Sequence, residues 1–309
     1  MKKVVIAGGS GFLGQALTKF FLKENIHVVI LSRKNKQSLA GETYVKWDGK
    51  NLSDWCEHLD GSDTLINLVG RSVDCRYTKK NRELILNSRI DSTKALGKAL
   101  NLINHPPKVW LNASTATIYK DLRGDKPPHD EESMGNAEGF SEDVGRAWEK
   151  AFFTSGPENI RKVAMRISFV LGKEDGAFPV LKKFTQFGLG GAQGPGSQWM
   201  SWLHIDDWIG IVCFLIKNNS ISGPVNVTSP NPVKNAEFMK EMRKIFAPFN
   251  FGLPAPSLAV HAGAFFLGTA PELVLKSRKV VSKVLKDNGH RFLFSDLVSA
   301  LNNLSSKDK

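Results

Sequence analysis

Three glycines near the amino end, Gly8, Gly11 and Gly14, stand in a Gly-x-x-Gly-x-x-Gly pattern that takes in Ser10, Phe12 and Leu13. Glycines so spaced make a tight turn, let backbone N–H groups approach a pyrophosphate at a helix start, and let helix and strand pack closely. The setting suits that use. The apolar β-type run Val4–Ala7 precedes the cluster, and Leu13, Ala16, Leu17, Phe20 and Phe21 follow at helical spacing. A strand before and a helix after turn a weak glycine signal into the expectation of a dinucleotide site. The next β-type run, Val28–Leu31, ends in Ser32-Arg33-Lys34. An acid here would bond the ribose hydroxyls of NAD; an arginine instead offers charge-assisted bonds to a 2′-phosphate, so Ser32 and Arg33 point to NADP(H). Asp48, after Val45-Lys46-Trp47, is either a bond to the adenine amine or a turn residue.

Other chemistries lack their residues. There is no phosphate loop of the Gly-x-x-x-x-Gly-Lys-Ser/Thr kind, no Gly-x-Ser-x-Gly elbow and no His or Cys spacing for a metal. Cys56, Cys75 and Cys213 are an odd, scattered set, which predicts reduced thiols and a cytoplasmic protein. The net charge of +12 is spread along the chain, so no specific nucleic-acid partner is expected. No apolar stretch is long enough for a membrane. Ala255 to Leu275 carries Pro256, His261, Gly263, Gly268, Pro271 and Glu272, and predicts a buried or interfacial helix pair.

The elements that must position the glycines and Arg33 alternate strand with helix. Thr64–Val69, Val109–Ala113, Val163–Ile167 and Val225–Val227 are further candidate strands. That rhythm predicts an α/β fold with a doubly wound parallel Rossmann sheet. Residues 1–171 are expected to form the nucleotide domain, its sheet completed by the strand near 225–227. Residues 172–309 are expected to form a smaller, mainly helical C-terminal substrate region. It begins with a mobile glycine-rich loop, Gly188 to Gly196, and includes an amphipathic helix over Lys276 to Lys286.

Several segments together resemble the extended short-chain dehydrogenase/reductase superfamily, in its epimerase-family subgroup of nucleoside-diphosphate sugar epimerases with a helical C-terminal domain. They are the glycine pattern, Asn67-Leu68-Val69-Gly70, Ser88-Arg89-Ile90, Trp148-Glu149, Gly188-Leu-Gly-Gly191, the tryptophan-rich stretch from Gln198 to Asp207, and Gly289 to Leu297. The resemblance spans the chain and implies NADP(H) binding. It implies pyrophosphate contacts at Gly8, Gly11 and Gly14 and a 2′-phosphate contact at Arg33. Asn67, Leu68 and Gly70 would lie beside the nicotinamide ribose, with Arg89 a further cofactor contact. Thr115, or its neighbour Ser114, would be the strand-end catalytic hydroxyl. Homodimerisation through two helices per subunit is expected by the same analogy.

One superfamily feature is missing. A Tyr-x-x-x-Lys pair on one helix face normally moves the substrate proton, the lysine lowering the tyrosine pKa. The residues four positions after Tyr44, Tyr77 and Tyr119 are Asp48, Asn81 and Arg123. Counted back from Trp148-Glu149, the pair falls on Ser141 and Gly145. Ser141 followed by Glu142 and Asp143 also suits a helix start. Tyr119, His204, Asp206 and Lys120 are the candidate substitutes, with packing beside the strand as the alternative for Tyr119 and a structural histidine as the alternative for His204. Two functions are therefore expected to compete: an NADP-dependent epimerase or oxidoreductase acting on a small molecule, with a nucleotide sugar as one candidate, and a non-catalytic NADPH-binding sensor or partner protein.

Overall fold

A computed structural model describes residues 1–34 and 36–306, so the last three residues of the expected C-terminal region lie outside it. Strand β1 (Lys3–Ala7) leads through the glycines into helix α1 (Phe12–Lys23), then β2 (His27–Ser32), β3 (Glu42–Lys46) and β4 (Thr64–Asn67). Helix α2 (Lys79–Leu100), β5 (Val109–Thr115), α3 (Phe140–Phe153) and β6 (Arg161–Ile167) follow. After β7 (Phe169–Leu171), α4 (Phe178–Gln186), β8 (Trp199–Met200) and β9 (Trp202–His204), helix α5 (Ile205–Lys217) and β10 (Gly223–Val227) return to the main sheet. Among the described residues that sheet has seven strands in the order β10-β6-β5-β4-β1-β2-β3, every neighbouring pair parallel.

Alternation along β1 divides the core. Val4 and Ile6 face α1 and α5 with Leu17, Phe21 and Trp208, whereas Val5 and Ala7 join Trp55, Leu96, Trp110 and Phe152 on the other face. Helices on both faces explain why the strands are nearly continuous hydrophobic runs. The C-terminal region adds β11 (Val233–Lys234), α6 (Asn235–Phe246), α7 (Ser257–Leu267), α8 (Glu272–Leu275), α9 (Lys283–Asp287) and α10 (Leu297–Ser305). Its core joins Phe178 and Trp202 to Phe238, Met242, Leu301 and Leu304. Residues 205–227 thus lie beyond position 172 but belong to the nucleotide layer.

Three local expectations need correction. The strand expected over Thr64–Val69 ends at Asn67, and Leu68 to Gly70 form a loop on the glycine turn. The glycine-rich run expected to be a mobile loop is laced to residues 253–255: Gly191 N–H donates to Leu253 O at 3.0 Å and Gly194 N–H to Ala255 O at 2.7 Å. Glycine is required there, because a Cβ on Gly191 would lie 2.3 Å from the Leu253 carbonyl carbon. The amphipathic helix expected over Lys276 to Lys286 exists only as α9. Upstream, the backbone is committed to tertiary partners, with Arg278 N–H donating to Trp199 O and Val281 N–H to His129 O.

Candidate functional site

The glycine turn sits at the carboxyl end of β1. Gly8 has φ +78°, and a Cβ there would stand 3.0 Å from the backbone at Leu68 and Val69, so two loops meet across it. A Cβ on Gly14 would stand 2.5 Å from Gly9 Cα, which makes glycine the price of that helix–strand approach. Helix α1 starts at Gly11 with no side-chain cap and no acid in its first turn, leaving its leading N–H groups and dipole open to an anion. The other loop residues hold the turn in place. Ser10 Oγ lies 3.4 Å from Ser32 Oγ, the Phe12 ring covers Gly172 and Gly176, and Leu13 O accepts from Trp208 Nε1.

A cavity of about 470 Å³ opens beyond the ends of β2 and β3, lined by Arg33, Lys46, Trp47, Asp48, Asn51 and Ser53. Arg33 is exposed and Ser32 buried. Lys46, which the sequence reading passed over, sets a second cation beside Arg33. Asp48 reaches this cavity with its carboxylate already engaged by Lys50 N–H and Asn51 N–H, both at 2.8 Å, and by the Asn51 amide at 2.6 Å. These bonds hold its pKa below the usual value. Of the two roles open to it, the turn role is in place, and its carboxylate still lines the cavity.

Asn67 is wholly buried and organises the next loop: its amide donates to Asn112 Oδ1 at 2.6 Å and Thr93 Oγ1 at 3.2 Å, while its oxygen accepts from Val69 N–H. Leu68 N–H donates to Ala7 O. Next to Gly70 lies Arg89, donating to the carbonyls of Arg71 and Ile85 and resting over the Trp148 ring. Among the described residues no carboxylate pairs with it, and burial pushes its pKa down to about 10. A half-buried guanidinium with carbonyl acceptors but no carboxylate has charge to spare for an anionic ligand.

The catalytic hydroxyls need the largest correction. Ser114 Oγ donates to Glu149 at 2.6 Å, and Glu149 holds Arg166 through two 2.8 Å bonds. Arg166 donates in turn to the Tyr119 hydroxyl, which itself donates to Asn226. Tyr119 is fully buried against His129. Ser114 and Tyr119 are thus both engaged in a buried network. Burial alone would lower the Arg166 pKa, but the bonds and charge of Glu149 raise it instead. Thr115 stays half-buried, with its Oγ1 2.9 Å from that of Thr117. His204 caps α5, its Nδ1 accepting from Asp206 N–H at 3.1 Å, which is the structural alternative weighed for it.

On α3, a Cβ at Gly145 would stand 2.9 Å from the Thr115 methyl carbon Cγ2, so the lysine position abuts the Thr115 side chain and cannot take even a Cβ without a shift. Ser141 Oγ donates to Glu272 at 2.5 Å. A second cavity, of about 380 Å³, lies there between the loop before α2 and helices α7 and α8, bounded by Arg76, Tyr77, Phe265 and Glu272 among others. Tyr77 and Glu272 carried no sequence signal, because neither stands in a catalytic spacing.

Residues 4–228 match the family described as NAD dependent epimerase/dehydratase. The chain belongs to that family. Residues 255–304 match a domain of unknown function, DUF1731. The epimerase family protein YfhF of Bacillus subtilis is 33% identical over 307 residues, 99% of each chain. The human epimerase family protein SDR39U1, solved with NADPH, is 27% identical with a TM-score of 0.84, over 98% of this chain and 99% of that one. A nucleoside-diphosphate sugar epimerase from Corynebacterium glutamicum is 29% identical with a TM-score of 0.78; the match spans 98% of this chain but 58% of that one. The extended short-chain dehydrogenase/reductase subgroup expected from the glycine pattern and the tryptophan-rich stretch is borne out.

Proposed function

We propose that this family member binds NADP(H) and acts as an oxidoreductase or epimerase on a small molecule bearing a hydroxyl or carbonyl group. The supporting observation is the pair Arg33 and Lys46 around the cavity at the ends of β2 and β3, where NAD-specific folds place an acid. The glycine turn and the open start of α1 would take the pyrophosphate, and the unpaired Arg89 would face a phosphate from the other side, beside Gly70. Asn67 positions that loop instead of touching the ligand. The residues present therefore fit the dinucleotide. When bound, it supplies hydride transfer. The chain's own task is to orient it and to move a proton, with Thr115, whose hydroxyl bonds to Thr117 within its own turn, the strand hydroxyl that would face that chemistry.

The proposal extends to the cytoplasm, where unpaired thiols stay reduced. Among the described residues no helix is long and apolar enough to cross a membrane. A second reading, binding without turnover, draws on Ser141 and the closed-off Gly145 in place of the usual pair. Thermal unfolding separates these readings from none at all. NADPH should raise Tm in a concentration-dependent way; no shift with any nicotinamide dinucleotide would end both.

A further inference from the structure

Helix α3 has lost its phenol, but another one stands beside the empty place. Tyr77 closes the loop after β4, and its ring meets Phe140, the residue before Ser141, edge-on at 5.0 Å. Its hydroxyl is buried and makes no well-formed hydrogen bond, although Ser141 lies beside it. Leaving a buried hydroxyl unpaired is unfavourable. The loop is braced to keep it there. Arg71 N–H donates to Ser88, the Asn81 amide donates to Arg76 O, Arg82 donates to Tyr77 O, and Thr78 caps α2. Arg76 lies over the Phe265 ring and donates to Phe265 O at 2.6 Å, tying the loop to α7. Tyr77 forms one wall of the 380 Å³ cavity, whose other walls are apolar at Phe265, Ala270 and Pro271 and polar at Arg76, His261 and Glu272. That size and lining suit a compact organic ligand.

We propose that Tyr77 is the proton donor of this site and that the cavity beside it takes a small carbonyl compound with an apolar body. The inference rests on the NADP(H) reading above. With a ligand seated, Tyr77 turns its hydroxyl, closed to solvent at rest, into the cavity and gives its proton to the carbonyl oxygen while the carbonyl carbon accepts a hydride from the dihydronicotinamide. The carbonyl is reduced to an alcohol, the dihydronicotinamide is oxidised to nicotinamidium, and Tyr77 is left as a phenolate. Ser141, whose single hydroxyl proton goes to Glu272 at rest, can turn it to that phenolate instead until water returns the proton. Burial raises the Tyr77 pKa; Ser141 and the Arg89 charge oppose the rise, while Glu272 and Cys75 add to it. The resting group is thus the neutral phenol, the form an acid needs. A nicotinamidium charge nearby would favour the phenolate.

The test is ring-carbon NMR of protein labelled at the tyrosine hydroxyl carbon, loaded with NADP⁺ or with NADPH and followed from about pH 7 to about 12. The chain has three tyrosines, so Tyr77→Phe assigns the signal. The expected result is an acid constant for Tyr77 raised about tenfold or more by NADP⁺ relative to NADPH, with Tyr44 and Tyr119 unmoved. Tyr77→Phe should bind NADPH within about twofold of wild type and lose about 100-fold or more of NADPH oxidation by diacetyl or an aromatic aldehyde. If both cofactor forms bind and Tyr77 titrates identically in the two complexes, the assignment is overturned while the cofactor reading survives. If calorimetry shows that neither binds, the cofactor reading has failed and the assignment falls with it.

Discussion

Arg89 fills the space over Gly70: a methyl group on that glycine would stand 3.0 Å from the centre of the guanidinium. The arginine cannot swing away freely, because it donates to the carbonyls of Arg71 and Ile85. It is half-buried without a carboxylate, so the desolvation of its charge offsets what its two carbonyl bonds contribute to folding. Arg89→Met should therefore leave Tm unchanged or raise it, while weakening NADPH binding about tenfold or more, the value of a charge-assisted phosphate contact. A drop in Tm with unchanged NADPH affinity would show that the arginine is structural.

The glycine turn separates two effects. Gly14→Ala places a methyl against the Gly9 backbone, 2.5 Å from its Cα, and should cost about 1–3 kcal/mol in unfolding experiments. Gly11→Ala has a φ of −87° and meets nothing nearer than Gly8 O at 3.6 Å, so the variant should fold as wild type. Its methyl intrudes where an anion would approach α1, and calorimetry should show NADPH affinity reduced about tenfold or more. Equal damage to folding from both substitutions would count against this division.

Glu149 and Arg166 are a buried, doubly bonded pair with Ser114 attached. Removing the acid strands the guanidinium, so Glu149→Ala should destabilise by about 3–5 kcal/mol. Ser114→Ala, which removes one bond to a charge, should cost about half of that or less in the same denaturation assay. A Ser114 variant that folds normally yet abolishes turnover would restore the catalytic role assigned to it by resemblance.

Acid should loosen the protein from about pH 6.5 downward. Burial holds the pKa of His204 below its ordinary 6.5 against the opposing pull of Asp206, and burial also lowers that of His290. A histidine with a depressed folded pKa contributes its full stability above about pH 6.5, and that stability is lost as pH falls through the folded value. Protonating His204 Nδ1 also removes the acceptor that caps α5. Denaturation midpoints should fall below about pH 6.5, and His204→Asn, which can keep an acceptor at the cap, should flatten that fall. A midpoint constant down to about pH 4.5 would refute it.

The nucleotide half was legible because its information is local. Gly8, Gly11 and Gly14 lie between an apolar strand and an amphipathic helix, and Arg33 follows the next strand directly, so spacing alone located them. Lys46 belonged to the same pattern and could have been found as a basic residue closing β3. Ser114 and Tyr119 misled because their hydroxyls are spent on Glu149, Arg166 and Asn226, partners 35 to 107 residues away. Tyr77, Ser141 and Glu272 come from three separate stretches, and only the packing of α3 against the C-terminal region brings them together.

The most direct test of the central claim is calorimetric titration of NADPH and NADH into the wild-type protein and into Arg33→Ala. NADPH should bind the wild type at least about tenfold more tightly than NADH, and the preference should collapse in the variant through loss of NADPH affinity alone. Equal binding of the two cofactors by the wild type, or a preference that survives the substitution, would contradict it.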